Sequence, residues 1–465
     1  MSFPGVRSTE SRDAFWADKG NFVKLTLIKP TIGRREHSLY VDEGRMEPLT
    51  LGVLAGLTPP DVEVVLHDDR MEAIPYDEPT DLAAISVETY TARRAYEIAK
   101  EYRNRGVPVI LGGMHVSLIP EEAELHADSV FIGDAEAAWV QVIEDARRNR
   151  LQPRYYGPPG IAQLGGIQPR RDLFKEKGYL PVSLLQFSRG CRFDCSFCAV
   201  SQYFDKKHYL RRIGEVVAEI EKQERKFLFF VDDNIASDQM ALKELCHALI
   251  PLKVHWVSQA SLDVTHDRDL MALMAKSGCW GNVMGFESIN PSSLNEARKS
   301  PNIAGFSNYD EEVTILRDHG MQTWAAFTLG YDHDTAESIR ATADFALRSK
   351  FTFAAYNILM PYPGTPLYHL LAEQKRLLYN GRWWLHPEYR FNQSAFLPAR
   401  MKPDELTDAC HDARARYNSV AALVHRFSDW QTNLRSLNRA LSFWRYGLLF
   451  RKEVYKKHGM RFGLR

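Results

Sequence analysis

The chain has 465 residues, 45% of them hydrophobic and 25% charged, which excludes a disordered or fibrous protein and is too long for one ordinary core. Lys plus Arg and Asp plus Glu each number 59, so no net charge marks nucleic acid as a partner. Six cysteines are no disulfide framework at this length, the N-terminus lacks the apolar run of a signal peptide, and no apolar stretch is long enough to span a bilayer. Together these predict a cytoplasmic protein with no membrane and no nucleic-acid partner.

Residues 1–20 are polar and irregular and read as a flexible leader. Domain one, residues 21–150, opens with a strand at Phe22–Ile28, closed by Pro30. An apolar run with helical spacing follows at Pro48–Leu57, then strands at Val62–Leu66 and Leu82–Val87. Thr91–Arg105 reads as a helix, with Ala92, Ala95, Ile98 and Ala99 on one face and Gly106 as its stop. Strands at Val107–Leu111 and Ser129–Ile132 and a helix at Ala135–Arg147 complete a strand–helix alternation, which implies a Rossmann-like, doubly wound parallel sheet. Ligands of such sheets sit at strand carboxyl ends, where Gly112-Gly113-Met114-His115 and Gly133-Asp134-Ala135-Glu136 stand.

Residues 151–180 have the Pro and Gly content of a linker. Domain two, 181–380, alternates again. Its predicted strands are Ser183–Phe187, Phe227–Val231, Val254–Val257, Trp280–Met284, Gln322–Thr328 and Ala355–Leu359. Helices are predicted at Ile213–Arg225, Gln239–Ile250, Asp267–Lys276, Glu311–His319 and Thr335–Arg348. The strands exit into polar or glycine-bearing loops, a pattern that predicts a (β/α)6 partial TIM barrel with its site at the strand C-termini. Residues 381–465 form a helical, aromatic extension: 361–400 is irregular and rich in Tyr and Trp, 404–425 is helical, and the basic tail from Arg451 reads as a solvated end.

Half of the cysteines fall in one loop after the first of these six strands, Cys191-x3-Cys195-x2-Cys198. Clustered thiolates bind zinc or iron–sulfur clusters. No partner CxxC follows to supply the fourth ligand of a structural zinc. Cys246, Cys279 and Cys410 stand alone and read as small buried hydrophobes.

With Phe197 before the last cysteine, this loop in this position resembles the radical S-adenosylmethionine (SAM) family. The resemblance implies that Cys191, Cys195 and Cys198 each hold one iron of a [4Fe–4S] cluster, that SAM chelates the fourth, and that reductive cleavage yields a 5′-deoxyadenosyl radical that abstracts hydrogen from a substrate. It also implies cofactor contacts at strand ends: Gly285-Phe286-Glu287-Ser288 resembles the family's GxES turn, with Glu287 and Ser288 toward SAM, and Ser258, Gln259 and Ser261 occupy the strand end before it. Asp232 and Asp233 stand where the family has a Gly-Gly-Glu-like turn; the sequence does not choose between them, and at least one reads as the N-cap of the next helix.

Domain one resembles the cobalamin-binding domain fused to members of that family, through Gly112-Gly113-Met114-His115 and Gly133-Asp134-Ala135-Glu136. The resemblance makes Gly112, Gly113 and His115 candidate contacts and leaves open whether cobalamin is bound, since no D-x-H-x-x-G cobalt-ligand motif is present. His115 reads equally as a satisfied structural histidine, and Trp383 and Trp384 as core or lid residues. The implied activity is radical chemistry on a small molecule, with cobalamin-dependent C-methylation as the first reading. A cobalamin-independent radical dehydration or rearrangement, as in an aminoglycoside diol dehydratase, is the second, and a non-catalytic iron–sulfur or corrinoid sensor the third. The implied partners are an electron donor of flavodoxin or ferredoxin type and a reductase. No residue is identified as a catalytic acid or base.

Overall fold

The computed structural model describes residues 24–34, 45–158, 166, 168–303 and 309–464. The leader 1–20, and Phe22 and Val23 of the first predicted strand, lie outside the described residues. Two six-stranded sheets, each parallel throughout, carry the chain.

The first sheet contains β1 (Lys24–Lys29), β2 (Glu63–Asp68), β3 (Leu82–Ser86), β4 (Val109–Gly112), β5 (Ser129–Ile132) and β6 (Arg154–Tyr156), in the order β2-β1-β3-β4-β5-β6. Leu25 to Ile28 are all buried, the near-continuous burial that a sheet covered on both faces requires. The helices that cover it include α1 (Leu49–Leu57), α2 (Ala92–Asn104), α3 (Met114–Leu118) and α4 (Trp139–Arg147). β6 lies in the stretch read as linker, and so does Phe174, which is buried against the first core. Proline and glycine there mark turns between docked pieces, not a loose tether.

The second sheet is built from β7 (Ser183–Leu185), β10 (Phe227–Phe230), β11 (His255–Ala260), β12 (Cys279–Glu287), β13 (Trp324–Leu329) and β14 (Phe353–Ile358), in the order β14-β13-β12-β11-β10-β7. Between β7 and β10 lie β8 (Ser188–Gly190), α5 (Ala199–Tyr203) and β9 (His208–Leu210), with β8 and β9 paired antiparallel across the cysteine loop. The crossover helices include α6 (Ile213–Glu221), α7 (Gln239–Leu249), α8 (Arg268–Lys276), α9 (Pro291–Glu296), α10 (Tyr309–Asp318) and α11 (Ala336–Arg348). This is the α/β architecture expected: a Rossmann-like sheet followed by a six-stranded part-barrel. Cys246, Cys279 and Cys410 are buried, as are Trp383 and Trp384.

The C-terminal third departs from expectation. A short helix, α12 (Pro366–Glu373), interrupts the stretch read as irregular; Thr365 caps it and Pro366 opens it. The helical region divides into α13 (Pro403–Tyr417) and α14 (Val420–Phe427), and a long helix, α15 (Leu437–Lys457), follows. Among the described residues no helix is long and apolar enough to cross a membrane. The basic tail is not a solvated end. Met460 and Phe462 are buried, Gly463 donates its N–H to Ile32 O at 2.9 Å, and Leu464 donates to the Glu97 carboxylate. Charge made the tail look soluble; two apolar side chains between the basic ones dock it onto the first domain.

The two sheets meet edge to mouth. α3, at the carboxyl end of β4, packs on α5 beside the cysteine loop. Trp384 Nε1 donates to Glu122 Oε1 at 2.9 Å across the junction. Tyr90 of the first domain sits among the rings of Tyr362, Trp383, Phe391 and Phe462, with centroids 5.1–6.0 Å apart. Phe462 thus joins three parts of the chain. Phe462→Ala is expected to destabilise the protein by about 3–5 kcal/mol, read as a lowered urea midpoint; a shift no larger than that of a surface Phe→Ala control would show that the tail is not a structural strap.

Candidate active site at the mouth of the second sheet

Cysteine-loop geometry begins with a buried carboxylate. Asp232, at the end of β10, accepts from Phe187 N at 3.1 Å, from Ser188 N, and from Ser188 Oγ at 2.5 Å. Asp233 accepts from Gly190 N at 2.8 Å. Both aspartates therefore hold the backbone that leads into Cys191. Neither caps the next helix: that role falls to Asp238, whose side chain accepts from Ala241 N. Burial pushes Asp232 up to about 7, against the donors that favour its charged form.

Ser258 donates to Phe230 O at 2.8 Å, and Gln259 Nε2 to Asp232 O at 3.1 Å. Ser261 N donates to Asn234 Oδ1 at 3.0 Å, while Asn234 Nδ2 lies 3.5 Å from Cys191 Sγ. These strand-end polar groups brace one another, and Asn234 reaches the first thiol. Phe197 is half-buried against the core.

Glu287 is aimed by a β-bulge. The register of β12 against β13 shifts between Gly285 and Glu287, and Glu287 has φ +59°, a conformation that L residues rarely adopt. Its carboxylate accepts from Lys299 Nζ at 3.0 Å and from Thr328 Oγ1 at 2.6 Å. A Cβ on residue 285 would collide with Glu287 Oε1 and lie 2.8 Å from Lys299 Nζ. The glycine of the GxES turn thus makes room for this ion pair. Ser288 Oγ accepts from Asn290 N at 3.0 Å and closes the turn.

Lys299 was not singled out from the sequence. Burial opposes its charge, but Glu287 and the neighbouring Cys195 and Cys198 outweigh it and raise its pKa. A lysine twelve positions beyond Glu287 in an unremarkable polar stretch offers no local signal; the fold alone brings it to the thiols. Tyr331 was missed too. Its hydroxyl is buried with no hydrogen-bond partner, and burial together with Glu287 and Asp334 raises its pKa. This leaves a buried hydroxyl without a protein partner close enough to Glu287 to feel its charge.

The thiols fit a metal cluster. Burial pushes Cys195 up to about 12 and raises Cys198, so these sulfurs become thiolates when metal takes the place of the proton. Among the described residues no three His, Cys, Asp or Glu side chains are gathered as closely as a single bound ion needs.

The candidate residues of the first domain fare differently. Gly113 has φ +105°, and a Cβ there would lie 2.8 Å from Val87 O, so its own backbone turn accounts for it. Gly112 is roomier, its nearest neighbour being Phe131 Cβ at 3.5 Å. His115 is fully buried, with Nδ1 3.2 Å from Thr89 Oγ1 and Nε2 3.2 Å from Glu122 Oε1. Both ring nitrogens are engaged, which makes it a structural histidine. Asp134 and Glu136 face the cysteine loop: Arg189 Nη1 lies 2.9 Å from Asp134 and Nη2 2.5 Å from Glu136, and Tyr203 donates to Asp134 at 2.7 Å.

Residues 185–346 match the family model described as Radical SAM superfamily. The chain is 28% identical over 374 residues to bacteriochlorophyllide d C-12(1)-methyltransferase of Chlorobaculum tepidum, covering 77% of this chain and 81% of that one. It is 24% identical over 402 residues to hopanoid C-2 methylase of Rhodopseudomonas palustris, covering 83% and 73%. Among solved structures, the radical SAM methyltransferase TsrM from Kitasatospora setae, with cobalamin and a [4Fe–4S] cluster bound, superposes with a TM-score of 0.61 at 17% identity over 85% of this chain and 88% of that one. The cobalamin-dependent radical enzyme OxsB gives 0.63 at 12% identity over 93% and 71%.

Glu296 also lies near the mouth, accepting from Asp332 N at 2.9 Å, and burial plus the Asp332 charge push it up to about 7. An acid raised on folding contributes most below its unfolded pKa, near 4.5, and its contribution is lost as pH rises toward 7. The urea midpoint is therefore expected to carry a falling component across that window, and Glu296→Gln to remove it. An identical pH profile in the variant would assign the slope elsewhere.

Proposed function

We propose that this radical SAM enzyme methylates an unactivated carbon of a small molecule, with a corrinoid held by the first domain as methyl carrier. When bound, the cluster supplies the electron that splits SAM to a 5′-deoxyadenosyl radical, and the corrinoid supplies the methyl group. Cys191, Cys195 and Cys198 would hold the cluster. Glu287, held by its bulge, would accept from the amino or ribose groups of SAM. Lys299 would pair with the SAM carboxylate, and the Tyr331 hydroxyl is available to a polar group of the same ligand. A reduced flavodoxin- or ferredoxin-type protein would feed the cluster, which needs a reducing compartment such as the cytoplasm.

The observation that carries this reading is the junction. The carboxyl edge of the first sheet, where such folds take their ligands, lies against the thiol loop through α3, α5 and Arg189. The names of the relatives, a bacteriochlorophyllide d C-12(1)-methyltransferase and a hopanoid C-2 methylase, support the same chemistry.

One observation favours the corrin-free alternative, radical dehydration or rearrangement: Gly113 and His115 are both accounted for by contacts within the protein.

The test is anaerobic reconstitution with iron and sulfide, then dithionite and SAM with and without cobalamin, assaying 5′-deoxyadenosine and S-adenosylhomocysteine. Both products, the second only with cobalamin, are expected. Deoxyadenosine alone with no corrinoid retained would select the alternative; neither product would sink both. Cys195→Ala should lose the brown cluster absorbance, and Lys299→Met should weaken SAM binding at least about tenfold in equilibrium dialysis, as expected for losing a charge-assisted contact. Unchanged SAM affinity in Lys299→Met would remove that residue from the site.

A further inference from the structure

Among the described residues, the helices packed at the end of the second sheet remote from the thiols present a run of exposed apolar side chains. Val420, Val424, Trp430, Leu437, Leu441, Leu448 and Tyr455 account for seven of the sixteen large hydrophobic side chains exposed among the described residues. They are not scattered. Leu437, Leu441, Leu448 and Tyr455 recur at four- and seven-residue intervals, so they share roughly 40° of arc on α15. Phe443 and Gly447, on the inward side, are the buried residues of that helix. The neighbouring α14 packs on it through Phe427 and Phe443, and Val420 and Val424, four residues apart, are exposed on α14. Trp430, 77% exposed, stands in the turn between the two helices.

The exposed charge in helical phase with the α15 leucines is basic, while one acid, Asp318, bonds Gln431 beside the Trp430 turn. Arg445 and Lys452 are exposed on α15, close to the leucines in helical phase. From Arg435 to Arg465 the chain has nine Lys or Arg and a single acid, Glu453. A leucine stripe edged by basic residues with a tryptophan at its end is what a helix lying in a lipid headgroup layer presents. A second copy of the chain would bring the same positive charge against itself. An acidic electron-donor protein must approach the thiols, and α15 packs instead on Trp324 and Phe353, at the starts of β13 and β14. A six-residue strand puts that end on the order of 20 Å from the mouth.

We infer that the outward face of α14, the Trp430 turn and α15 is a peripheral docking surface for an anionic lipid bilayer. It spans nothing, and it modifies the expectation that membranes are not a partner. The inference is independent of the reaction proposed above.

The full-length protein is sedimented with phosphatidylcholine vesicles containing or lacking phosphatidylglycerol. Binding to the anionic vesicles, weakened by salt, is expected. Leu441→Ser/Leu448→Ser should lower it at least about tenfold, since two leucines leave the apolar layer. Brominated lipid should quench the wild-type fluorescence more than that of Trp430→Phe. The variants lie away from the site, so their circular dichroism and deoxyadenosine formation serve as folding controls. Equal binding with and without phosphatidylglycerol, no binding to either, or binding untouched by the leucine changes would each overturn the inference. So would a lipid-free dimer that the same changes dissolve, which would assign the face to a second copy.

Discussion

Arg189 holds the molecule's two halves in one arrangement. Its side chain, 15% exposed, lies between Asp134 and Glu136 of the first domain, its Nε donates to Gln186 of its own strand exit at 2.8 Å, and Cys191 follows two residues later. A cation this enclosed is tolerable only with its counter-charges in place. Removing one partner of such a buried pair typically costs about 3–5 kcal/mol, because the other is stranded. The position of the cysteine loop and the orientation of the first domain are therefore one constraint. Gly133-Asp134-Ala135-Glu136 serves that constraint through its two acids, while Gly133 turns with φ +88° so close to Gly157 that no side chain fits between them. The motif at this strand end also clamps the cysteine loop through Arg189.

Much of the fold was legible because parallel sheets write themselves plainly. Short apolar runs such as Leu82–Ser86 and Phe227–Phe230, each followed by a helix, permit few other architectures. The cysteine loop and the GxES turn were legible for a similar reason, since their chemistry is local in sequence. What escaped depends on distance along the chain. Lys299 reaches Glu287 only through the bulge in β12 and the turn after α9. Phe462 is a core residue only because the tail returns over more than 400 residues to Ile32. Asp232 and Asp233 stand in sequence where a cofactor turn is expected and where acids before a helix usually cap it; the preceding loop, tied to them by backbone N–H groups, is the claimant the sequence does not reveal.

Polar groups at the mouth divide into two kinds. Asp232, Ser258, Gln259 and Ser261 have their hydrogen bonds met by neighbouring strand ends. They fix the rim. Glu287, Lys299 and Tyr331 differ: a buried ion pair with a buried, unpartnered hydroxyl beside it. On the function proposed above, the electrostatics of a loaded site would explain the lysine. Three thiolates bring negative charge into a buried pocket that already holds Glu287, and a cation within the same enclosure offsets part of it where water cannot. A neutral residue at 299 would leave that charge to solvent that the fold excludes.

This charge argument extends to the other end of the sheet. There the helices α13 to α15 close the barrel with apolar and aromatic contacts such as Trp324 on Phe450 and Phe353 on Phe443, and with a buried cation, Arg426, stacked 4.0 Å over Tyr417 and donating to Thr352 O and Tyr417 O. Phe443, Gly447, Phe450 and Arg439 supply the inward contacts of α15, and its leucine-rich outer face takes no part in them. The first domain lies against the cysteine loop and the tail straps that domain to the aromatic extension, while the opposite end is sealed by α13 to α15. Surface that the fold neither buries nor fills with mixed charge is maintained at a cost in solubility. Its α14 and Trp430 part lies toward the strand starts, away from the cysteine loop, while α15 runs on into the tail that straps the first domain.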